Sequence, residues 1–212
     1  AYINTIKNLG GDVENPFVIY DDVAELYAKR NAELKEIVAK RQAIEKQWAA
    51  ENPEKAAKMA EWFSGKAPNI DWSNLVQKPN SPTRVASAAC LGVLSEQVKN
   101  MIVSSADLCN SDRTDGFLKD THNITRGDFS GAFFQAGVSE LTMACMCIGM
   151  YLHGGIIPAC GTFFVFSDYM KPAIRMAALM RVPIKFIWSH DAFRVGEDGP
   201  THEPVEQEAQ IR

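Results

Sequence analysis

The sequence changes character at residues 66–82, and this change constrains the fold more than any other feature. The segment KAPNIDWSNLVQKPNSP holds three prolines and several turn-forming residues, so it cannot continue a helix or a strand. Before it, apolar residues follow helical spacing from Asp21 to about Glu51, and Asn52-Pro53 is a typical start for a second helix. We therefore predict an irregular segment and helical linker in residues 1–80 and a separate domain in residues 81–212.

Beyond the break, helical and strand-like patterns alternate along the chain. Helices are predicted over residues 84–99, 138–152 and 171–181, and strands over residues 101–103 and 182–188. Strands separated by helices favour an α/β domain with a mostly parallel sheet flanked by helices. The polar segment 109–130 is predicted to be a surface loop. Ligands bind beyond the carboxyl ends of strands in such sheets, where Asp107 and His190 follow the two predicted strands.

Composition excludes several classes of protein. A net charge of −4 and a pI near 5.6 argue against a nucleic-acid binder that works by neutralising phosphates. The longest apolar stretches are too short for a membrane span, and the N-terminus shows no secretory signal. Five cysteines without metal-ligand spacing indicate reduced thiols in the cytoplasm, and Cys145 and Cys147 are predicted to be buried structural thiols.

Two groups of residues in the second half could carry chemistry. Glu140 is the only carboxylate within a long apolar stretch and stands at the start of a predicted helix, where the helix dipole favours its charge. It could share a proton with a ligand nitrogen, or it could cap its own helix. Phe163, Phe166 and Tyr169 are spaced three apart, as along one side of a helical turn. They could stack on a flat ring or pack in a core.

The C-terminal stretch from His190 is rich in polar groups within a glycine- and proline-containing loop. These groups are His190, Glu197, Asp198, His202, Glu203 and Glu206. No HxxxH or HxH spacing is present, so a metal site has weak support. Binding of a polyhydroxylated or phosphorylated substrate and a solvated acidic loop both remain open. Arg84 and Ser111, taken alone, are typical of a solvated helix start and a turn.

Five segments together resemble the middle part of transketolases, the thiamine-diphosphate enzymes of the pentose phosphate pathway. The resemblance is strong in HGGIIPACGTFFVFSDYMKPAIRMAALM (153–180) and SHDAFRVGEDGPTHEPVEQ (189–207). It is looser in SPTRVAS (81–87), SSADLCNS (104–111) and AGVSEL (136–141). It implies that the domain is the pyrimidine-binding domain of an enzyme that moves a two-carbon ketol unit from a ketose phosphate to an aldose phosphate.

The resemblance also implies roles for individual residues. Glu140 would hydrogen-bond N1′ of the cofactor's aminopyrimidine, which favours the imino tautomer that deprotonates thiazolium C2 to give the carbanion. The pyrimidine would lie against Phe163, Phe166 and Tyr169, with Asp107 and Leu108 near the thiazolium. Arg84, Ser111 and His190 would hold the sugar phosphate. Asp198 and His202 would bind the hydroxyls of the ketose at the reaction centre.

The chain departs from the family pattern at three places. Ser139 and Leu141 replace the usual Arg and His around Glu140, Ala192-Phe193-Arg194 replace Ser-Ile-Gly, and Ser104 replaces a glycine. These departures leave the functional side chains in place. They change the residues next to them, which could alter how those side chains are held and which substrate is preferred.

The resemblance further implies that the chain is a fragment. The Gly-Asp-Gly domain that binds the diphosphate and Mg²⁺ or Ca²⁺ is absent, and so is the C-terminal domain. Because the family's sites form between the two subunits of a homodimer, the fragment alone is expected to be inactive. Rival interpretations are dihydroxyacetone synthase, 1-deoxyxylulose-5-phosphate synthase, and a non-catalytic half or oligomerisation piece of a split enzyme.

Overall fold

The computed structural model describes residues 1–191, 195 and 198–212. The chain divides into two units, Ala1–Ala57 and Lys58–Arg212. The boundary that the sequence predicts between residues 80 and 81 stays a prediction.

Three helices precede the proline-rich segment. They are α1 (Tyr2–Asn8), α2 (Asp21–Glu51) and α3 (Pro53–Phe63). The predicted break between α2 and α3 is confirmed, with Pro53 at the first position of α3. Asn52 joins the two helix ends, because its side-chain amide donates to the Trp48 carbonyl while its own carbonyl accepts from the Ala56 amide. No residue of α2, which is described throughout, is buried.

The second unit contains a parallel four-stranded sheet, as the sequence predicts. Its elements are α4 (Thr83–Gln97), β1 (Met101–Ser105), α5 (Cys109–Asp112), a 3₁₀-helix (Thr114–Lys119), β2 (Phe133–Gln135), α6 (Glu140–His153), β3 (Ile157–Phe163), a 3₁₀-turn (Phe164–Phe166), α7 (Ser167–Met180), β4 (Lys185–Ser189) and α8 (Gln207–Ile211). The strand order is β2-β1-β3-β4, and every pair is parallel. The chain reverses its direction of winding between β1 and β3, which is where sheets of this kind bind ligands.

Helices cover both faces of the sheet. On one face α6 and α7 pack over Cys160, and Phe186 and Trp188 lie partly buried at the same side. On the other face α4 and the 3₁₀-helix pack over Val103 and Ala159. Alternate residues of each strand therefore belong to different cores, so a strand such as β3 is apolar almost throughout.

The sequence predictions about local structure fail at residues 1–20, which are predicted to be irregular but contain α1, at two strands, and at residues 109–130. Strands β2 and β3 were not predicted, because β2 is only three residues long and Pro158 and Gly161 interrupt the strand pattern of β3. Residues 109–130 are not simply a surface loop, since they contain α5 and the 3₁₀-helix and bury Phe117. Burial against α4 gives this polar segment its structure.

The five cysteines are all free thiols. Cys147 and Cys160 are buried, as predicted for Cys147, but Cys145 is exposed. Residues two apart on a helix point in different directions, so α6 carries Cys147 into the core and Cys145 to the surface.

Candidate functional site

A cavity opens at the carboxyl edge of the sheet, beside β4 and the start of α4. Its volume is about 670 Å³. Among the described residues its lining consists of Pro82, Thr83, Arg84, Ser87, Asp112, Ile187, Trp188, Ser189, His190, Asp191, Val195 and Asp198. The structure thus brings together three of the predicted substrate-binding residues, Arg84, His190 and Asp198, which are distant in the sequence.

Arg84 and His190 are in direct contact within this cavity. Arg84 Nη1 lies 2.7 Å from His190 Nε2, and His190 Nδ1 lies 2.9 Å from Ser189 Oγ. A guanidinium can only donate, so Nε2 accepts, and the neutral ring must carry its proton on Nδ1 and donate it to Ser189. Burial lowers the pKa of His190, and the positive charge of Arg84 lowers it further. The contact therefore holds a permanent cation beside a neutral imidazole.

His190 also has an unusual backbone conformation. Its φ is +53°, in the left-handed region that non-glycine residues rarely adopt. The imidazole stacks on Phe163 with the ring centroids 3.7 Å apart. This stack and the contact with Arg84 hold the residue in that conformation at the end of β4.

The aromatic residues predicted to share a helical turn come from three different elements. Phe163 ends β3, Phe166 lies in the 3₁₀-turn and Tyr169 is in α7. The prediction that the three side chains lie along one side of a helical turn is therefore wrong, but their rings are still neighbours. The centroids of Phe163 and Phe166 are 5.8 Å apart with nearly parallel planes, and those of Phe166 and Tyr169 are 6.1 Å apart.

His202 adjoins the same ring cluster. It meets Phe166 edge-on with centroids 5.2 Å apart, and Phe163 at 6.0 Å. Its Nδ1 lies 2.7 Å from Thr201 Oγ1. His202 is not among the described residues that line the cavity, so the structure places it on the aromatic side and Asp198 on the cavity side.

Glu140 lies in the first turn of α6, as predicted. It is only 7% exposed. Within residues 1–191, 195 and 198–212, no group donates a hydrogen bond to its carboxylate. The alternative that Glu140 caps its own helix is therefore not observed. Its oxygens are not among the fully enclosed, unpartnered side-chain atoms of the described residues, so a ligand at this position could donate a hydrogen bond to them.

Asp107, Leu108 and Ser111 follow β1 at the edge where the winding reverses. Asp107 is exposed and has a φ of +65°. The Leu108 amide donates to Ser105 Oγ at 3.2 Å, and the Ser111 amide donates to the Leu108 carbonyl at 2.8 Å. The exposed Ser111 is not among the described residues that line the cavity.

Asp112 is a site residue that the sequence did not reveal. It lines the cavity, is 1% exposed, and accepts hydrogen bonds from Ser105 and Thr114. Burial raises the pKa of Asp112, while the hydrogen bonds from Thr114 and Ser105 act to lower it. The spacing Asp-x-Thr is typical of an aspartate that bonds the backbone two residues on, and that signal could have found it.

Some predictions concern residues outside the described part of the chain. These are Glu197 and the departure Ala192-Phe193-Arg194. Among the residues that are described, no group of three or more His, Cys, Asp or Glu side chains is arranged to hold a metal ion. In the same part of the chain, no helix combines the length and apolarity that a membrane crossing requires.

Comparison with known proteins gives a consistent result. The family profile "Transketolase, pyrimidine binding domain" matches residues 80–212. The transketolase of Bacillus subtilis is 43% identical over 164 residues, which are 76% of this chain and 24% of that protein. The transketolase of Aquifex aeolicus is 38% identical over 211 residues, 96% of this chain and 29% of that protein. The chain therefore spans less than a third of the length of these relatives.

Solved structures agree with the sequence comparison. A transketolase from Leishmania mexicana superposes with a TM-score of 0.83 at 30% identity, covering 98% of this chain and 31% of that one. A transketolase from Pichia stipitis in complex with sedoheptulose 7-phosphate gives a TM-score of 0.83 at 29% identity, covering 97% and 32%. Because the family profile covers more than half of the chain and these relatives align along most of it, the chain belongs to the transketolase family.

Proposed function

We propose that residues 81–212 are the pyrimidine-binding part of a thiamine-diphosphate site, joined to a helical linker in residues 1–80. The protein that contains them would be a cytoplasmic transketolase. It would transfer a two-carbon ketol unit from a ketose phosphate to an aldose phosphate. The observation that carries this proposal is the position of Glu140, a largely buried residue in the first turn of α6 whose carboxylate accepts no hydrogen bond from the described residues.

Glu140 fits the aminopyrimidine of thiamine diphosphate. A protonated ring nitrogen, N1′, could donate a hydrogen bond to this carboxylate, and an ionised acceptor makes such a bond strong. The position of Glu140 in the first turn of α6 favours its negative charge. Glu140 would thus hold a proton at N1′ and fix the tautomer of the pyrimidine.

The ring cluster fits the flat faces of the same cofactor. Phe163 is buried, whereas Phe166 is half-buried and Tyr169 is 63% exposed, so the latter two leave ring surface for a ligand. Asp107 and Leu108 would lie near the thiazolium. Stacking would orient the cofactor and exclude water from it.

Arg84 and His190 fit the phosphate end of a sugar phosphate. Arg84 is a permanent cation with donors that match phosphate oxygens, and it is already fixed by its contact with His190. Ser111 would add a hydroxyl donor. The relative from Pichia stipitis that binds sedoheptulose 7-phosphate supports this class of ligand for the present chain.

Asp198 and His202 would act at the hydroxyl end of the ketose. An aspartate accepts and a histidine donates or accepts, so Asp198 could orient one hydroxyl from the cavity, and His202 could orient another from the ring cluster and exchange a proton with it. Thiamine diphosphate, when bound, supplies the nucleophilic carbon that carries the two-carbon unit. The side chains of this chain supply position, polarity and proton transfer around it.

The remaining parts of the site would come from outside this chain. The diphosphate and its Mg²⁺ or Ca²⁺ would be held by another domain, contributed by the second subunit of a homodimer. Large apolar side chains exposed on α6 and α7, such as Leu141, Met146, Met176 and Leu179, support an assembly that covers these helices. The 212-residue chain alone is accordingly expected to be inactive.

Ketol transfer from xylulose 5-phosphate to ribose 5-phosphate tests the proposal. In the complete enzyme containing this sequence, Glu140→Ala is expected to lower kcat by about 10²–10⁴-fold, the usual size of a lost acid–base contribution. Glu54→Ala, which removes an exposed first-turn carboxylate from α3, is the matched control and should leave kcat unchanged. Wild-type turnover by Glu140→Ala would refute the role of Glu140.

Two further measurements separate the rival functions. Turnover by the purified 212-residue chain would contradict the need for a second part of the site. A panel of ketose donors and aldose acceptors distinguishes a transketolase from dihydroxyacetone synthase and 1-deoxyxylulose-5-phosphate synthase. Activity confined to acceptors other than aldose phosphates would overturn the proposed reaction.

A further inference from the structure

The buried carboxylate of Asp112 joins two segments that border the cavity. Its Oδ2 accepts a hydrogen bond from Ser105 Oγ at 2.8 Å, at the carboxyl end of β1. Its Oδ1 accepts from the Thr114 amide at 2.8 Å and from Thr114 Oγ1 at 2.7 Å. Ser105 and Thr114 are fully buried. Three donors thus fix both oxygens of one carboxylate, and the near-complete burial of Asp112 strengthens these hydrogen bonds.

This arrangement extends to the backbone of the loop after β1. The Leu108 amide donates to Ser105 Oγ at 3.2 Å. A serine hydroxyl has one proton, and here it goes to Asp112, so an oxygen lone pair is left to face Leu108. The direction of the Ser105 hydroxyl, and therefore its ability to accept from Leu108, is set by Asp112.

The backbone conformation of Asp107 explains why the loop after β1 requires this hydrogen bond. Asp107 has a φ of +65°, a left-handed conformation that aspartate tolerates better than most residues with a Cβ but still adopts rarely. Conformations of this kind persist only where surrounding contacts impose them. The bond from Leu108 to Ser105 is such a contact immediately after the strained residue.

Thr114 and Asp112 pack closely against β3 at Gly161. A Cβ on Gly161 would lie 2.4 Å from Thr114 Cγ2 and 3.2 Å from Asp112 Oδ2. The Gly161 carbonyl also accepts from the Ala106 amide at 3.2 Å, just before the strained residue. The hydrogen bonds and the close packing therefore act on the same loop.

We propose that Asp112 is a positioning residue that holds the Asp107–Leu108 loop in shape by orienting Ser105. The relevance of this loop to catalysis rests on the proposed function, which sets it beside the cofactor. The hydrogen-bond arrangement itself does not depend on that function. It can therefore be tested on the 212-residue chain without cofactor or substrate.

Amide hydrogen exchange at Leu108, followed by NMR, is the direct test. Asp112→Ala and Ser105→Ala should each accelerate exchange at Leu108 by about tenfold or more. In these variants the Leu108 amide lacks a stable hydrogen bond to Ser105, so the loop opens to solvent more easily. Asp112→Asn keeps the shape of the side chain and can still donate to Ser105, so it should accelerate exchange less than Asp112→Ala. It also keeps the test informative if Asp112→Ala does not fold.

Two controls separate positioning from general loss of stability. Thr114→Val removes one donor to Asp112 but leaves the path through Ser105 to Leu108, so exchange at Leu108 should stay within about threefold of wild type. The Val103 amide, which donates to the Ala132 carbonyl in the sheet, reports on the core. Unchanged exchange at Leu108 in Asp112→Ala, or equal acceleration at Val103 and Leu108, would overturn the proposal.

Kinetics of the complete enzyme then test the link to the cofactor. Asp112→Asn should raise the KM for thiamine diphosphate while kcat at saturating cofactor stays near the wild-type value, because a loosened loop weakens binding before it alters chemistry. An unchanged KM would show that the loop does not position the cofactor. If the wild-type enzyme lacks ketol transfer, the proposed function fails, but the exchange result still decides the role of Asp112 in the loop.

Discussion

Gly161 provides a sharp test of how closely the 3₁₀-helix packs on the sheet. Substitution to alanine would bring the new Cβ to 2.4 Å from Thr114 Cγ2, where carbon atoms in contact are normally about 3.5–4.0 Å apart. Both Gly161 and Thr114 are buried, so the backbone or the Thr114 side chain must shift, because small changes in bond angles cannot relieve a contact this short. Overpacking of this kind costs about 1–3 kcal/mol, and we expect the upper half of that range.

Part of the cost is offset by the conformational entropy of glycine. Replacing glycine by alanine within a strand gains roughly 0.5–1 kcal/mol when space allows. The net loss for Gly161→Ala should therefore be about 2 kcal/mol, which lowers the Tm of a chain of this size by about 4–8 °C. Urea unfolding followed by circular dichroism, together with a thermal melt, measures both quantities.

Gly149 supplies a matched control for the same substitution. It lies in α6, where an added Cβ would meet no atom within 4 Å. Gly149→Ala should stabilise the chain by up to about 1 kcal/mol, since alanine is the better helix former. The two alanine variants are thus expected to shift stability in opposite directions.

A double-mutant cycle locates the clash. Thr114→Ser removes Cγ2 but keeps the hydroxyl that donates to Asp112, so it relieves the contact without breaking the hydrogen bond. Thr114→Ser should lower the free energy of unfolding less in the Gly161→Ala background than in wild type, with a coupling free energy of about 1–2 kcal/mol. Stability of Gly161→Ala within about 0.5 kcal/mol of wild type, or the absence of coupling, would refute the packing argument.

Three further predictions follow from the site. Burial and Arg84 lower the pKa of His190 in the folded chain, whereas in the unfolded chain the pKa keeps its ordinary value of 6.5. As the pH falls through this value the unfolded chain binds a proton that the folded chain does not, so the free energy of unfolding decreases. Urea midpoints between about pH 5 and 8 should show a weaker pH dependence in Arg84→Met, and an identical dependence would contradict the assignment. Glu140→Leu should abolish ketol transfer in the complete enzyme while the isolated chain stays folded by circular dichroism, and retained turnover would contradict the role of Glu140. Iodoacetamide should label exposed Cys145 well before Cys160, whose thiol pKa is raised by its hydrogen bond with Cys147 and by burial, as peptide mass spectrometry can determine.

Local sequence signals predicted the helices better than the strands. Asp21–Glu51 and the start at Pro53 were predicted because helical spacing, proline and asparagine act within a few residues of one another. β3 was missed because Gly161 and Pro158 are unfavourable in strands in general. At Gly161 the reason is tertiary: Thr114, far earlier in the chain, occupies the space that a side chain would need.

The candidate site shows the same division between local and distant causes. Asp107 and His190 are predicted to follow the carboxyl ends of strands, where parallel sheets bind ligands. Both residues do follow strands in the structure. The Asp-x-Thr spacing indicates that Asp112 can bond the backbone of Thr114, but nothing nearby in the sequence marks segment 109–130 as buried. Its environment arises only when α4 packs on the 3₁₀-helix.

The sequence by itself determined the class of the fold, two of the helices before the proline-rich segment and the family, because apolar periodicity and short motifs are properties of neighbouring residues. Tertiary structure alone decided that Arg84 donates to His190, that His190 is therefore neutral with its proton on Nδ1, and that Glu140 is buried without a donor among the described residues. Hydrogen-bond partners and burial depend on groups that are distant in the chain and meet only in the folded sheet. That dependence is why the chemistry of the site could be proposed from the sequence, while its protonation and its supporting residue Asp112 required the fold.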